Sequence, residues 1–481
     1  MRIVHSLIFA LAVVLGLSTK TVMADDQPFT FGVDLSFTNQ MEDCGATFGI
    51  KKKTQSTFQL FHNAGANLVR VRLFHTPDWT EYSTLADVKK TIRRAKASGL
   101  DVLLDFHYSD NWAHPGQQVI PKAWAHLSDT DVLAKALYDY TYSVLMELDA
   151  EGLIPEMVQV GNETNTEILL GDKESASDEI VTASQDGTGI NWPRNAHLLN
   201  AGIKAVRDVA KQTNKAPKIM LHIAQPENVE SWFELATANG IIDYDIIGIS
   251  YYPKWSEFSI QELAATINRV RHRFSKEVMV AEVSYAWTDN WRDTTTNILG
   301  STSAIKGYPV SKKGQKKYLI DLTQAIITAG GSGIIYWGTE YVSTSCKNRW
   351  GVGSSWENAT LFDFSKPHRL LPSIAYMTHD YETPQPVTFR VVLENSELQD
   401  QTLYLWGDFL GTNEFVLSLP GNNGVYEYNT KVMTGDSFRY QIFADPQLTR
   451  PLIVVKDRDQ SAGFPQVSVG KSPLLIKHTI Q

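Results

Sequence analysis

Eight short, almost unbroken apolar runs recur up to about residue 340, at residues 31–35, 68–74, 102–106, 157–160, 219–223, 246–250, 278–280 and 333–337. Helical patterns such as 85–97 and 261–273 separate several of them. Strands that are apolar on both faces belong to parallel sheets covered by helices on each side. Eight strand-then-helix units predict an α/β protein built as a closed (β/α)8 TIM barrel. An open doubly wound sheet carries a glycine-rich nucleotide turn, and none is found. The spacing between strand ends exceeds the roughly 30 residues of a minimal βαβ unit after strands three, four and seven. On a barrel such long βα loops form the substrate face.

After about residue 380 the pattern changes. Thr383-Pro384-Gln385-Pro386 reads as a stiff, extended connection, followed by alternating runs at 387–393, 403–406, 425–428, 438–443 and 452–455. The expected organisation is a barrel over residues 25–382 and a small all-β sandwich over 387–481. Two segments of the sandwich, Leu403-Tyr404-Leu405-Trp406 and Val425-Tyr426-Glu427-Tyr428, carry aromatics that suit either glycan stacking or a buried core.

The N-terminus places Arg2 and His5 before the apolar stretch 7–15 and then Val22-Met23-Ala24. Residues 1–24 thus have the form of a secretory leader, which predicts a secreted or periplasmic protein; the alternative is a membrane anchor, for which the stretch is short. No other segment suits a membrane span. An oxidising destination favours pairing of the two cysteines. Cys44 follows the first strand and Cys346 the last, and those strands are neighbours in a closed barrel, so a disulfide and a pair of reduced thiols both remain open.

The formal net charge of −9 offers no basic face for a nucleic acid, whereas twelve tryptophans supply flat faces on which sugar rings stack. Trp112, Trp124, Trp255, Trp287 and Trp350 all fall in expected βα loops. Two glutamates close strand-like runs: Glu163 after Met157-Val158-Gln159-Val160-Gly161-Asn162, and Glu282 after Val278-Met279-Val280-Ala281. Two carboxyl groups converging from different barrel strands are what glycosidic cleavage requires, one as acid/base and one as nucleophile. Glu163 is the expected acid/base and Glu282 the expected nucleophile.

Neighbouring residues fit that chemistry. Asn162 can bond a sugar 2-hydroxyl or simply shape the turn. Arg70 and Arg72 share one face of their strand, and Arg72, nearer the strand end, is the expected partner of a catalytic carboxylate, with Arg70 structural. His107 can bond a sugar hydroxyl or orient a carboxylate. Tyr251 and Tyr252 close strand six, where a phenol can bond the nucleophile, and Trp337 closes strand eight as a floor for the reacting sugar.

Gly32-Val33-Asp34-Leu35-Ser36, Arg70-Val71-Arg72-Leu73, Leu104-Asp105-Phe106-His107-Tyr108-Ser109-Asp110-Asn111-Trp112, Gly161-Asn162-Glu163, Gly248-Ile249-Ser250-Tyr251-Tyr252-Pro253 and Ala281-Glu282-Val283-Ser284-Tyr285 resemble glycoside hydrolase family 53, the endo-β-1,4-galactanases. Gly351-Val352-Gly353-Ser354-Ser355-Trp356-Glu357-Asn358 is similar to that family's last long loop, so the resemblance spans roughly residues 30–375. It implies a retaining enzyme that cuts inside the β-1,4-galactan side chains of pectin, with Glu163 as acid/base and Glu282 as nucleophile. The expected enzyme is monomeric, with substrate contacts from Asp34, Arg72, His107, Trp112, Asn162, Tyr251, Trp287 and Trp337. The resemblance implies no required cofactor. A structural calcium ion is possible in the family, for which Asp289, Asn290 and Asp293 are candidate oxygen donors. Other retaining β-glycanases, such as mannanases or cellulases, and a glycan-binding protein without turnover are the competing readings.

Overall fold

A computed structural model describes residues 28–171, 186–349 and 351–394, and most positions from 402 to 480. The expected leader and Trp350 lie outside the described residues. Among those described, no helix is long and apolar enough to cross a membrane.

The eight runs form strands β1 (Thr30–Asp34), β2 (Leu68–Leu73), β3 (Asp101–Phe106), β4 (Met157–Val160), β5 (Lys218–Ala224), β6 (Ile246–Tyr251), β7 (Glu277–Val283) and β8 (Gly333–Tyr336). All are parallel and close into a barrel, with β8 pairing β1 from Thr30–Gly333 to Val33–Tyr336. The two helical patterns become Leu85–Ala97, capped by the Thr84 side chain, and Ile260–Phe274, which starts with a Ser259/Glu262 capping box.

Alternation along each strand divides the core in two. Outward residues such as Val69, Val71, Val278 and Val280 pack with helix residues such as Val88 and Ile92. Inward residues Leu68, Leu103, Met220, Ile246, Met279, Ala281 and Ile335 form a separate apolar plug, the filled interior expected of such barrels. Gly32 and Gly248 leave room for it, since a Cβ on either would come within 2.7 Å of Ile335 or Met220. Further along the strands, the inward positions turn polar and begin the site.

One irregularity decides which way a key side chain faces. Ile249 of β6 pairs with Val280, but the next residue, Ser250, pairs with Glu282. On the other edge, Ile334 and Tyr336 pair with Val280 and Val283, so β7 carries one extra residue around Ala281. A regular strand would point Glu282 outward with Val278 and Val280; the bulge turns it into the lumen.

Cys44 and Cys346 are joined in a disulfide with a Cα–Cα distance of 5.6 Å, tying the segment after β1 to the loop after β8.

The C-terminal strands form two four-stranded sheets, one built on Gln385–Leu393, Val425–Val432 and Leu474–Ile480, the other on Leu403–Gly407 and Ser437–Phe443. Both contribute to one core containing Phe389, Leu405, Tyr426, Phe438 and Tyr440, which is a sandwich. The aromatics weighed for glycan stacking are largely consumed in packing. Trp406 and Tyr426 are buried, and the Tyr428 hydroxyl meets His272 on a barrel helix.

Candidate active site

Glu163 and Glu282 reach the same point from strands far apart in sequence. A carboxylate oxygen of each, together with a ring nitrogen of His222, lies within 4.8 Å of the other two. That is the short separation of retaining glycosidases, about 5–5.5 Å, and not the roughly 6.5–9.5 Å that leaves room for an inverting water. Glu163 follows Gly161, whose φ of 84° suits glycine, and itself adopts φ 45°. A non-glycine residue in this region marks a backbone held in place by its surroundings.

Glu282 is 6% exposed, with Oε1 at 2.9 Å from Arg70 Nη1 and Oε2 accepting from the Tyr252 hydroxyl at 2.7 Å. Burial pushes its carboxyl up to about 7, against the pull of Arg70 and the Tyr252 hydrogen bond. Glu163 Oε1 accepts from Ser250 Oγ at 2.6 Å. Burial and the charge of Glu282 push Glu163 up to about 8. Two carboxyl groups this close do not both ionise readily. Glu282, with a guanidinium and a phenol on its two oxygens, is the better site for the charge, which leaves the proton on Glu163.

Arg70 is the hub beneath them. Its Nη1 donates to Asp34 Oδ2 at 2.9 Å, its Nη2 to Asp105 Oδ2 at 2.9 Å and Asn162 Oδ1 at 2.8 Å, and its Nε to Gln159 Oε1 at 3.1 Å. Burial works against its charge, but Asp105, Glu282 and Asp34 outweigh burial and raise its pKa.

The arginine expectation is therefore reversed. Arg70 holds Glu282, while Arg72 donates its Nε to Ser83 Oγ and lays its guanidinium 3.9 Å from the centre of the Trp112 ring, with Phe37 and Phe74 also around it. The tyrosine choice is corrected too, because Tyr251 turns away to donate to the Phe258 carbonyl and Tyr252 bonds the carboxylate.

The chain matches the model of Glycosyl hydrolase family 53 over residues 30–377. The chain belongs to this family. Among its relatives is an arabinogalactan endo-β-1,4-galactanase of Cellvibrio japonicus, 49% identical over 373 residues, covering 78% of this chain and 96% of the relative. An endo-β-1,4-galactanase of Bacillus subtilis is 32% identical, covering 73% of this chain and 86% of the relative. Among solved structures, a family 53 catalytic domain from Ignisphaera aggregans is 32% identical with a TM-score of 0.65, covering 74% of this chain and 96% of that one. A fungal β-1,4-galactanase is 26% identical with a TM-score of 0.61, covering 73% of this chain and 100% of that one. The family match ends before the sandwich.

Other residues expected at this family 53 site divide into those that face the cleft and those that support it. Asp34 is 1% exposed and serves Arg70 and the Ser36 backbone, so it lies under the site rather than against a sugar. His107 accepts from the Ala113 N–H at Nδ1 and bonds Asp105 at Nε2, which makes it an orienter of a carboxylate. The Asn162 side chain donates to the Ala113 carbonyl and accepts from Arg70 and Gln159. Trp112 and Trp337 are half-buried with ring centres 6.1 Å apart. Trp287 is buried against Phe364 and Trp124 is buried against His75 and Tyr140, so neither is an open platform. Trp255, half exposed and edge-on to Tyr252, is one.

Sequence reasoning missed Ser250, His222 and Gln159 as site residues. The signal was there, since each is polar at an inward position of an apolar strand. Asp289 and Asp293, two of the candidate calcium donors, are engaged within the chain. Asp289 is spent on the Ser301 backbone and hydroxyl, Asp293 accepts from the Thr295 and Ser354 N–H groups, and Asn290 is exposed. Among the described residues, the only cluster of three acidic or histidine side chains with ligand spacing is Glu163, His222 and Glu282. Both His222 nitrogens there are already hydrogen-bonded.

Proposed function

We propose that this protein is an exported, monomeric endo-β-1,4-galactanase that cuts within the galactan side chains of pectin with retention of configuration. The observation that carries the chemistry is the pair itself: Glu282 anchored by Arg70 and Tyr252, with Glu163 beside it and oxygens within 4.8 Å. The substrate follows from the family and from the galactanase activity named for its 49% identical relative. The disulfide supports export, since such bonds persist in oxidising compartments.

In the first step Glu282 attacks the anomeric carbon while the glycosidic C–O bond breaks and Glu163 gives its proton to the leaving oxygen. The resulting ester to Glu282 is then cleaved by water, whose proton returns to Glu163. Arg70 and Tyr252 keep Glu282 ionised and aimed. Glu163 becomes charged only after Glu282 has been neutralised as an ester, so its acidity changes when its role changes.

Reducing-sugar release from purified galactan, mannan and cellulose tests the substrate, with galactan expected to be preferred; preference for mannan or cellulose removes the galactanase reading. Glu282→Gln is expected to abolish turnover while galactan still binds. Hydrolysis at the wild-type rate in that variant rejects the assignment.

A further inference from the structure

The inward face of β4, β5 and β6 carries a chain of polar groups that ends on Glu163. Gln159 Nε2 lies 3.1 Å from His222 Nδ1, His222 Nε2 lies 2.9 Å from Ser250 Oγ, and Ser250 Oγ lies 2.6 Å from Glu163 Oε1. Gln159, His222 and Ser250 are each fully buried.

His222 Nδ1 has two neighbours at 3.1 Å, the Gln159 NH2, which can only donate, and Asn162 Oδ1, which can only accept and already takes a hydrogen from Arg70 Nη2 at 2.8 Å. With Gln159 as the donor, His222 Nδ1 accepts and the ring proton sits on Nε2. His222 Nε2–H then donates to Ser250, and the Ser250 hydroxyl donates onward to Glu163 Oε1. Burial and the Arg70 charge hold the His222 ring well below its usual pKa, so it stays neutral. The opposite tautomer would donate from Nδ1 to Asn162 Oδ1, 3.1 Å away, and would let Ser250 accept a proton from Glu163 Oε1.

We propose that Gln159, His222 and Ser250 form a one-way donor chain that occupies Glu163 Oε1, so that the catalytic proton is carried on Oε2. Ser250 and His222 are positioning residues, and the role rests on Glu163 being the acid/base. The chain does two things at once. It keeps the proton off the oxygen that points into the barrel wall, and it stabilises the carboxylate formed after proton transfer, which opposes the upward push of burial and Glu282.

The groups facing Glu163 are Ser250 from β6, Tyr252 just beyond it, Glu282 from β7, Arg70 from β2 and Asp105 from β3. Those facing His222 are Arg70, Asp105, His107, Glu163 and Glu282, with Gln159 and Asn162 beside it. Apart from Ser250 itself, a Ser250 variant replaces none of these groups.

The test is the pH dependence of kcat/KM, whose alkaline limb reports loss of the proton from the acid. Ser250→Ala removes a donor to the carboxylate, so this limb is expected to move up by about one pH unit. Activity on galactan should fall by about tenfold. An aryl β-1,4-galactobioside with a dinitrophenol leaving group needs little proton donation and should lose less. Ser250→Thr keeps the hydroxyl and should keep the limb in place. An unmoved limb in Ser250→Ala, or equal displacement in both variants, overturns the proposal. Independently of any variant, the 15N shifts of the His222 ring in the wild-type protein should report protonation at Nε2; protonation at Nδ1 overturns it as well. Failure of the underlying acid/base assignment looks different, because Glu163→Gln would then retain galactan hydrolysis.

Discussion

Arg70 Nη1 stands 2.9 Å from Asp34 Oδ2 and 2.9 Å from Glu282 Oε1, so one guanidinium nitrogen is shared between a buried supporting carboxylate and the proposed nucleophile. With Asp105 on Nη2, a single cation serves three acidic groups. Arg70→Met leaves them facing one another without compensation. Loss of a buried partner of this kind costs about 3–5 kcal/mol of stability, and kcat/KM on galactan should fall at least about 100-fold as Glu282 loses its charge. Arg70→Lys restores one charge but not the forked geometry and should fall between. Steady-state kinetics and denaturant unfolding of both variants check this.

The adjacent tyrosines should separate cleanly. Tyr252→Phe removes the donor to Glu282 Oε2 and should lower kcat by about tenfold or more, with little change in melting temperature. Tyr251→Phe removes only a bond to the Phe258 carbonyl and should lower stability by about 1 kcal/mol while kcat stays within twofold or so. If the Tyr251 variant is the one that loses turnover, the corrected assignment is wrong.

Apart from Glu282, whose charge Arg70 and Tyr252 hold, three carboxyl groups, Glu163, Glu340 and Glu357, are pushed up to between about 7 and 8, in each case chiefly by burial. The folded protein therefore binds more protons than the unfolded chain between the ordinary carboxylate range and these values. The stability they contribute is full below the unfolded pKa and is lost as pH rises through about 7 to 8. Melting temperature should accordingly fall as pH is raised from about 5 to 8. Glu340 is fully buried, with Oε1 bonded to Phe37 N and Thr38 and Oε2 without a hydrogen-bond partner among the described residues. Glu340→Gln should flatten the slope, and a slope unchanged in that variant would place the titration elsewhere.

Cys346→Ser should destabilise the protein by about 2–4 kcal/mol, because the link closes a long loop across the barrel seam. Reductant should lower the melting temperature of the wild type toward that of the variant and leave the variant itself unmoved.

The barrel was legible because all eight strands are buried on both faces, which leaves an unmistakable apolar signature. The paired glutamates were legible from their place at strand ends. What escaped was height and direction within the lumen. Arg70 and Arg72 share parity, and nothing in the local sequence says which level the carboxylate will occupy. Tyr251 and Tyr252 differ by one residue at the point where β6 ends, where alternation stops being a guide. Loop tryptophans such as Trp124 and Trp287 were assigned by position, but burial depends on the neighbours folded over them. The supporting layer of Gln159, His222 and Ser250 was visible only as polar letters in apolar runs, which calls for a partner without naming it.

The extra residue near Ala281 makes the aim of Glu282 a matter of counting. Trimming one position there would swing the carboxylate out among the helices while every catalytic letter survived in an alignment. Loss of function in such barrels can thus hide in the interval between Val280 and Val283, and a census of inactive relatives should score that length as carefully as it scores the glutamate.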